Sequence, residues 1–311
     1  MVAESEVFRL LDTAVAGLEG DAIAAAVVVE DAVAFVCRGQ LGHEDVGRQT
    51  MFYGASVTKQ FLGILLARAI SDRAAAADDL LVSWLPELPH WLAAVRLHHL
   101  IHHTSDLPDV AEPGLGILSS NADVIERFRQ LRPSPVLQPG IRYAYNNAGY
   151  VLLAEVLSRI LGQPITDIAS THLFAPLTLT HTRLGGEPVR LPGIPDPPRT
   201  IGDGGLWISI VDLTTWLRAG NQARFGADTQ RLAESTDQLS DGSHVDYAWG
   251  VRVTPTPRGR LITHGGSWQT WLAKTARIPE RDVAVAILSA GASEQAVSDT
   301  GTNLAKSLAA G

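Results

Sequence analysis

The chain has 311 residues, of which 46% are hydrophobic and 19% charged, so it is long enough for one large globular domain or two small ones. Its 33 acidic and 25 basic residues give a formal net charge of −8, and no run of arginines occurs, which excludes the basic surface of a nucleic-acid-binding protein. The single cysteine, Cys37, cannot form an intramolecular disulfide, so the fold does not require an oxidising compartment.

The first part of the chain predicts a helix, a hairpin and a long buried helix. Residues 5–18 are amphipathic and favour a helix, and the acids near the start are not typical of a signal peptide. Two short apolar runs, 23–29 and 33–37, flank a polar turn and predict a β-hairpin. From Ser56 onward, apolar side chains recur at helical spacing. No stretch of about 18 apolar residues occurs, so we expect a cytoplasmic protein with no membrane partner.

The rest of the chain predicts helices followed by strands. A helix is expected at 148–160, ended by Gly162, then a proline-rich loop at 186–199, a helix at 210–219 and a last helix at 294–309. Short, partly alternating runs predict strands at 248–255, 260–264, 271–278 and 283–288. Strands near both ends with helices between them predict an α+β fold, in which both termini build one sheet and a helical domain is inserted.

A serine and a lysine three residues apart form the sharpest local motif, Ser56-Val57-Thr58-Lys59. Residues i and i+3 lie on one face of a helix, so the hydroxyl and the amine can meet. A serine hydroxyl needs a base to act as a nucleophile, and a lysine, unlike an arginine, can give up its proton. The chain has three lysines among its 25 basic residues, which favours a chemical role for this one. The alternative is a capping serine followed by a solvated lysine.

The order of three motifs resembles that of the penicillin-recognising serine enzymes. Ser56-x-x-Lys59 is followed by Tyr145-Asn146-Asn147 and then by His264-Gly265-Gly266. The flanking segments are similar to those of class C β-lactamases and the related esterases and D-amino-acid peptidases; they are FYGASVTKQF, HHLIHHTSDLPD, YAYNNAGYVLLAEVLSRILG, GDGGLWISIVDLTTWL and THGGSWQTWLAKTARIP. The resemblance covers nearly the full chain.

The resemblance implies a β-lactamase/transpeptidase-like fold. In that fold an antiparallel sheet flanked by helices would form an α/β sandwich subdomain from residues 1–72 and 245–311. Residues 73–244 would form a mostly helical subdomain, with the active site in the cleft between the two.

The resemblance also implies a role for each motif. Ser56 would be the nucleophile, and Lys59 and Tyr145 would complete the catalytic set, with Tyr145 moving protons beside the serine. The backbone N–H groups of Ser56 and Ser267 would form an oxyanion hole. The implied oxyanion and substrate-binding residues are Ser56, Asn147, His264, Gly265, Gly266, Ser267 and Trp268.

Some residues depart from the family pattern or imitate a motif. Asp106 and Thr270 stand where the family usually has glycine. Lys274-Thr275-Ala276 imitates the K-T-G form of the third motif but lacks its glycine. His98 and His102 have a spacing that suits a metal, but neither a cysteine nor the glutamate of an H-E-x-x-H motif accompanies them. We therefore expect no metal and no other cofactor.

Together these residues predict a serine hydrolase that forms an acyl-enzyme on Ser56 from a small ester or amide. The alternatives are a transacylase with a small-molecule acceptor, a true β-lactamase or D-amino-acid peptidase, and a non-catalytic binding module. His264 replaces a lysine that usually holds a substrate carboxylate, so neutral donors are expected to react better than penicillins, unless an arginine in the cleft supplies the charge. The expected partner is a small acyl substrate, and the sequence leaves the oligomeric state open.

Overall fold

Strands from the two ends of the chain meet in the main sheet of the computed structural model, which describes residues 4–111, 120–132 and 137–310. The strands are β1 (Ala22–Val29), β2 (Ala32–Leu41), β3 (Glu44–Asp45), β4 (Met51–Tyr53), β5 (Thr182–Leu184), β6 (Leu206–Ser209), β7 (Asp237–Gln238), β8 (His244–Val245), β9 (Arg252–Thr256), β10 (Gly259–Trp268), β11 (Trp271–Ile278) and β12 (Val283–Ala290). The main sheet has the order β3-β2-β1-β12-β11-β10-β9, with each neighbouring pair antiparallel. The predicted α+β fold, with one sheet built from both termini, is confirmed.

In chain order, most helices lie between the strands that the N-terminal part of the chain gives to the main sheet and those that the C-terminal part gives to it. They are α1 (Glu4–Val15), α2 (Thr58–Ser71), α3 (Leu81–Trp84), α4 (Leu97–Ile101), α5 (Asn121–Gln130), α6 (Asn147–Leu161), α7 (Ile165–Ala169), α8 (Ala175–Leu177), α9 (Ile210–Asn221), α10 (Ala227–Ala233) and α11 (Glu294–Leu308). Within the described ranges, none of these helices combines the length and the apolar character needed to cross a membrane. The loop predicted at 186–199 has neither a helix nor a strand.

The central strands are buried on both faces, which explains why they read as continuous apolar runs. On one face of the sheet, Ile23 of β1 and Ile287 of β12 belong to a core that α1 and α11 cover. On the other face, Ala24 and Leu288 belong to the larger core shared with α2 and α9. The sheet is therefore the middle layer of three. The subdomain boundaries at residues 72 and 245 stay a prediction.

The predicted helix at 148–160 is α6, and its ends have clear local causes. The Asn146 side chain accepts a hydrogen bond of 2.8 Å from the Gly149 N–H and so caps the first turn. Gly162 ends the helix in the left-handed conformation, with φ of 65°. The strand predicted at 248–255 begins later, at Arg252, because a tight turn closed by the bond from Ala248 N–H to Val251 C=O precedes it.

Candidate active site

Ser56 lies at the entrance to α2, in a short 3₁₀ turn formed by Ala55–Val57. The preceding strand is held by pairing with β6, and the Gly54 N–H continues this pairing to Leu206 C=O at 2.8 Å. Ala55 has a φ of 43°, a conformation that costs a non-glycine residue about 1 kcal/mol or more. The packing of strand and helix maintains this strain, which fixes the position of the serine.

Lys59 follows Ser56 by one turn and has no solvent exposure. Its Nζ donates to Ser56 Oγ at 2.9 Å, to Asn147 Oδ1 at 2.8 Å and to the Asp203 backbone oxygen at 2.8 Å. These three acceptors use the three protons of an ammonium group. The alternative of a capping serine with a solvated lysine does not describe this pair, since Lys59 is buried and no side chain caps this turn.

Asn147 is the first residue of α6, and a carboxylate from another segment fixes the start of that helix. The two oxygens of Asp109 accept from the backbone N–H groups of Asn147 and Ala148 at 2.8 and 3.0 Å. Because Asn147 Oδ1 accepts from Lys59, the amide nitrogen is available to donate into the cleft that Asn147 lines.

Tyr145 stands at the mouth of the site, with 40% of its surface exposed. Its ring centroid is 5.0 Å from Lys59 Nζ and 4.3 Å from the ring of His103. His103 is itself fixed, because its Nδ1 accepts from the Asn146 N–H at 3.1 Å. In the part of the chain that the structure describes, the Tyr145 hydroxyl makes no hydrogen bond, so it is free to bind a substrate or a water molecule.

His264, on β10, uses both ring nitrogens within the protein. Nδ1 lies 2.5 Å from the Gly265 backbone oxygen, which accepts only, so Nδ1 carries the proton. Nε2 then accepts from the Tyr247 hydroxyl at 2.8 Å. Burial, helped by the positive charge of Lys59, lowers the pKa of His264 to about 3. The imidazole is therefore neutral at physiological pH and carries no charge for a substrate carboxylate.

The end of β10 has one open edge that faces the site. β10 pairs with β9 over residues 259–263 but with β11 as far as Trp268, so among the described residues the stretch from Gly265 to Trp268 has no strand partner on its other side. A Cβ on Gly266 would lie 2.2 Å from the Gly54 backbone oxygen and 3.2 Å from the Ser56 nitrogen. Only glycine permits this approach, which brings the β10 backbone at Gly266, the residue before Ser267, next to Ser56. The oxyanion hole of these two N–H groups stays a prediction.

Two cavities meet at the nucleophile. A cleft of about 570 Å³ runs from Ser56 along the β10 edge, and Tyr145, His264, Arg252 and Lys274 are among its lining residues. A smaller cavity of about 60 Å³ lies on another side of Ser56. Its lining includes Asn147, Asp203, Ser267 and Trp268. A substrate bound across Ser56 can therefore extend in two directions.

The sequence analysis missed two residues of the site, Asp203 and Tyr247. Asp203 supplies the backbone acceptor for Lys59, and burial raises the pKa of its carboxyl group, which the charge of Lys59 opposes. It belongs to the GDGG segment, which the resemblance to the family identified as a whole without indicating a role for Asp203. Tyr247 is buried and orients His264. No local motif marks it, because its function depends on a contact 17 residues away.

The two departures from glycine have different structural explanations. Asp106 adopts the left-handed conformation, with φ of 58°. Its carboxylate accepts from the Gln138 N–H at 3.1 Å and from the Arg142 guanidinium at 2.9 and 2.7 Å, and so compensates for the lost glycine. In the β10–β11 turn the residue with positive φ is Gln269, at 51°, rather than Thr270.

The two sequence motifs that imitate a functional site, Lys274-Thr275-Ala276 and the His98/His102 pair, make no contact with the Ser56–Lys59 pair among the hydrogen bonds of the described residues. Lys274 is on β11, opposite Gly265. His98 Nδ1 is 3.0 Å from an Asp78 carboxylate oxygen, and His102 Nδ1 is 2.8 Å from the Tyr247 backbone oxygen. Across residues 4–111, 120–132 and 137–310, no group of three or more His, Cys, Asp or Glu side chains is arranged to hold a metal ion.

Known proteins with similar sequences carry related names. Penicillin-binding protein 4* of Bacillus subtilis (strain 168) is 26% identical in an alignment of 260 residues, and the match covers 70% of this chain and 56% of that protein. The D-aminopeptidase of Brucella canis is 24% identical in an alignment of 241 residues, and the match covers 70% of this chain and 45% of that protein. The chain thus spans about half the length of these relatives.

The fold also has a solved counterpart. The octameric penicillin-binding protein homologue from Pyrococcus abyssi matches with a TM-score of 0.75 at 19% identity, covering 93% of this chain and 74% of that chain. The Beta-lactamase family profile matches residues 10–309, from within α1 to just beyond α11. Since this match includes the Ser56, Tyr145 and His264 motifs in one continuous stretch, the chain belongs to the Beta-lactamase family.

Proposed function

We propose that the protein is a serine hydrolase that forms an acyl-enzyme on Ser56 from a small ester or amide. The observation that carries this proposal is the bond network of Lys59, whose buried ammonium joins Ser56 Oγ to Asn147 Oδ1 beside an open cleft. A buried amine in contact with a serine hydroxyl is an arrangement suited to nucleophilic catalysis. A binding module would gain nothing from the strained turn that presents this hydroxyl.

In the proposed acylation step, Tyr145 acts as the base in its phenolate form, beside the Lys59 ammonium. Ser56 Oγ attacks the carbonyl carbon of the donor, and its hydroxyl proton passes to the Tyr145 oxygen. The carbonyl oxygen becomes an oxyanion, which the N–H groups of Ser56 and Ser267 would stabilise. When the tetrahedral intermediate collapses, the bond to the leaving group breaks and the leaving group receives a proton from Tyr145. Water then repeats the sequence on the acyl-enzyme, which releases the acid and regenerates Ser56.

The nature of the donor is the finer part of the proposal. The relative named D-aminopeptidase supports amides among the donors, while the open cleft suits small esters as well. A transacylase would use the same acyl-enzyme and pass it to an amine or an alcohol instead of water. Adding such acceptors to an assay with p-nitrophenyl acetate tests this alternative, because a transacylase forms the acceptor ester or amide in preference to acetate.

Labelling with a fluorophosphonate tests the proposal as a whole. The reagent phosphonylates activated serines, and mass spectrometry of the digested protein locates the added mass. We expect one adduct, on the peptide that contains Ser56, and none in the Ser56→Ala variant. An unlabelled wild-type protein, or a label on another serine, would overturn the proposal and favour a binding module.

A further inference from the structure

A buried glutamine on α2 forms hydrogen bonds that reach from α9 to the main sheet. Gln60 follows Lys59 directly and is 5% exposed. Its Oε1 accepts from the Trp216 indole N–H at 2.9 Å, and its Nε2 donates to Thr275 Oγ1 at 3.3 Å. Thr275, on β11, donates in turn to the His264 backbone oxygen at 3.2 Å. We call this series of three hydrogen bonds, which connects α9, α2, β11 and β10, the Gln60 brace.

The direction of each bond in the Gln60 brace follows from the groups that form it. An indole nitrogen can only donate, so the Gln60 amide turns its oxygen toward Trp216 and its nitrogen toward Thr275. The backbone oxygen of His264 can only accept, so the Thr275 hydroxyl uses its proton there and a lone pair for Gln60. The Trp216 ring is itself held, because it stacks on Phe61 with 3.8 Å between the ring centroids. Each member therefore has one arrangement, and losing one leaves a buried polar group unpaired.

The Gln60 brace lies on the face of the sheet that packs against α2. In β11, Trp271 and Ala273 belong to the core that the sheet shares with this helix. Because side chains alternate along a strand, Thr275 lies on the same face as these two residues. Its partner in β10 is His264, so the brace acts on the strand that continues to Ser267.

β10 comes into direct contact with the turn that carries the nucleophile. A Cβ on Gly266 would lie 2.2 Å from the Gly54 backbone oxygen, so the two backbones touch at this point. Among the described residues, however, no backbone hydrogen bond joins the stretch 265–268 to the turn 55–57. The proposed oxyanion hole combines one N–H group from each side, so its geometry depends on how firmly the strand is held against the helix. The Gln60 brace supplies such a link at His264, two residues before the contact.

We propose that Gln60 and Thr275 are positioning residues, which hold β10 against α2 and so set the spacing of the Ser56 and Ser267 N–H groups. This inference rests on the proposed function and adds two residues to it. Neither of them lines the two cavities that meet at Ser56, so both act through the backbone of β10 rather than on the substrate. If apolar packing alone positioned the strand, the Thr275 hydroxyl would affect stability and not the oxyanion.

Two substitutions remove the Gln60 brace and largely preserve the packing. Gln60→Met keeps the length of the side chain, and Thr275→Val keeps the shape but loses the hydroxyl. We expect each to lower kcat for p-nitrophenyl acetate about 10-fold with KM within about twofold, because a small displacement weakens a contact made in the transition state. The double variant should be little worse than either single variant, since both break the same series. Thr275→Ser keeps the hydroxyl and should restore most of the activity.

A boronic acid distinguishes positioning from a loss of stability. Phenylboronic acid bonds reversibly to a serine Oγ, and an oxygen on its boron takes the place of the oxyanion. Its Ki should rise about 10-fold in Gln60→Met and in Thr275→Val, in parallel with the fall in kcat. Thr214→Val is the matched control, because Thr214 is a buried threonine of α9 whose hydroxyl donates to the Ile210 backbone oxygen at 2.7 Å. This variant should lose stability and keep both kcat and Ki.

The outcomes separate the two proposals. A wild-type kcat and Ki in both Gln60→Met and Thr275→Val overturns the inference, as does a lower kcat with an unchanged Ki or an equal loss in Thr214→Val. In each of these cases the acyl-enzyme proposal stands. A wild-type protein that neither hydrolyses p-nitrophenyl acetate nor is labelled at Ser56 by a fluorophosphonate overturns both. Where Gln60→Met folds poorly, the comparison of Thr275→Val with Thr275→Ser decides, because it separates the hydroxyl from the methyl group of Thr275.

Discussion

The Nζ of Lys59 lies 2.9 Å from the Oγ of Ser56, and the lysine side chain is fully buried. The other two protons of the ammonium group bind Asn147 Oδ1 and the Asp203 backbone oxygen, so the contact with the serine does not depend on a substrate. This arrangement is preorganised, because a different element fixes each acceptor. The turn that leads into α2 fixes Ser56, the N-terminus of α6 fixes Asn147, and the GDGG segment fixes Asp203.

Lys59→Arg should be nearly as damaging as Lys59→Ala, although it keeps the positive charge. A planar guanidinium is larger, does not fit three acceptors placed around a single nitrogen, and does not give up a proton. We expect kcat/KM for p-nitrophenyl acetate to fall about 10²-fold or more in both variants. Lys306→Arg, on the exposed end of α11, is the control for the exchange itself. Activity within threefold of wild type in Lys59→Arg would reduce Lys59 to a counter-charge.

Tyr145→Phe should lower kcat by about 10²-fold or more and leave the fold intact. The substitution removes the hydroxyl, which has no hydrogen bond to the described part of the protein, and keeps the ring that packs against His103. Thermal unfolding should therefore stay close to that of wild type. The pH dependence of kcat is the decisive measurement, and an unchanged profile would remove Tyr145 from the mechanism. Tyr143→Phe, which loses a 3.3 Å contact with Arg252, is the matched control.

Asp106→Ala should destabilise the protein by about 1–2 kcal/mol, because it loses a side chain that tolerates positive φ and leaves the Gln138 N–H without its acceptor. Asp106→Gly should recover part of this loss, since glycine adopts the same conformation without strain. Arg142→Ala removes only the exposed partner and should cost less than about 1 kcal/mol. Urea unfolding measures all three. Equal stability of Asp106→Ala and wild type would contradict this explanation of the missing glycine.

The free energy of unfolding should decrease as the pH falls below 6.5, and His264 should contribute to this decrease. The pKa of His264 is lowered from its ordinary value of 6.5 to about 3 in the folded protein. Below pH 6.5 the unfolded chain therefore binds a proton that the folded protein does not. This histidine therefore lowers the free energy of unfolding by up to about 1.4 kcal/mol per pH unit as the pH falls from 6.5 toward 3. Above pH 6.5 it has no such effect.

The His264→Gln variant isolates this contribution. A glutamine can donate to the Gly265 oxygen and accept from Tyr247 without titrating. Urea unfolding of both proteins between pH 7 and pH 4.5 should show that the free energy of unfolding declines less steeply in the variant. The difference in slope should correspond to at most one proton taken up on unfolding. Parallel declines would show that His264 is not the group responsible.

The sequence predicted the fold well because its signals were local or repeated. The buried strands β1 and β12 are continuous apolar runs, and Asn146 and Gly162 mark the ends of α6 directly. It also predicted that Ser56 and Lys59 could meet, because that contact spans one helical turn.

Contacts between distant segments could not be predicted in this way. The bond from Lys59 to Asp203 spans 144 residues, and that from Tyr247 to His264 depends on how β10 packs against the preceding turn. The sequence analysis set Lys274 aside because its motif lacked a glycine, and the structure places this lysine among the residues that line the cleft. Which charged side chains line the cleft depends on strand register, and a short sequence motif does not predict that register.

The steady-state hydrolysis of p-nitrophenyl acetate by Ser56→Ala, compared with wild type, tests the central claim most directly. The Oγ of Ser56 is the only protein atom that bonds to the acyl group in the proposed reaction. Its loss leaves Lys59 bound to Asn147 and Asp203, so the fold should persist. We predict that kcat/KM falls to the level of the uncatalysed reaction, with circular dichroism and thermal unfolding close to wild type. A well-folded Ser56→Ala protein that hydrolyses the ester at a rate near that of wild type would contradict the assignment of Ser56 as the nucleophile.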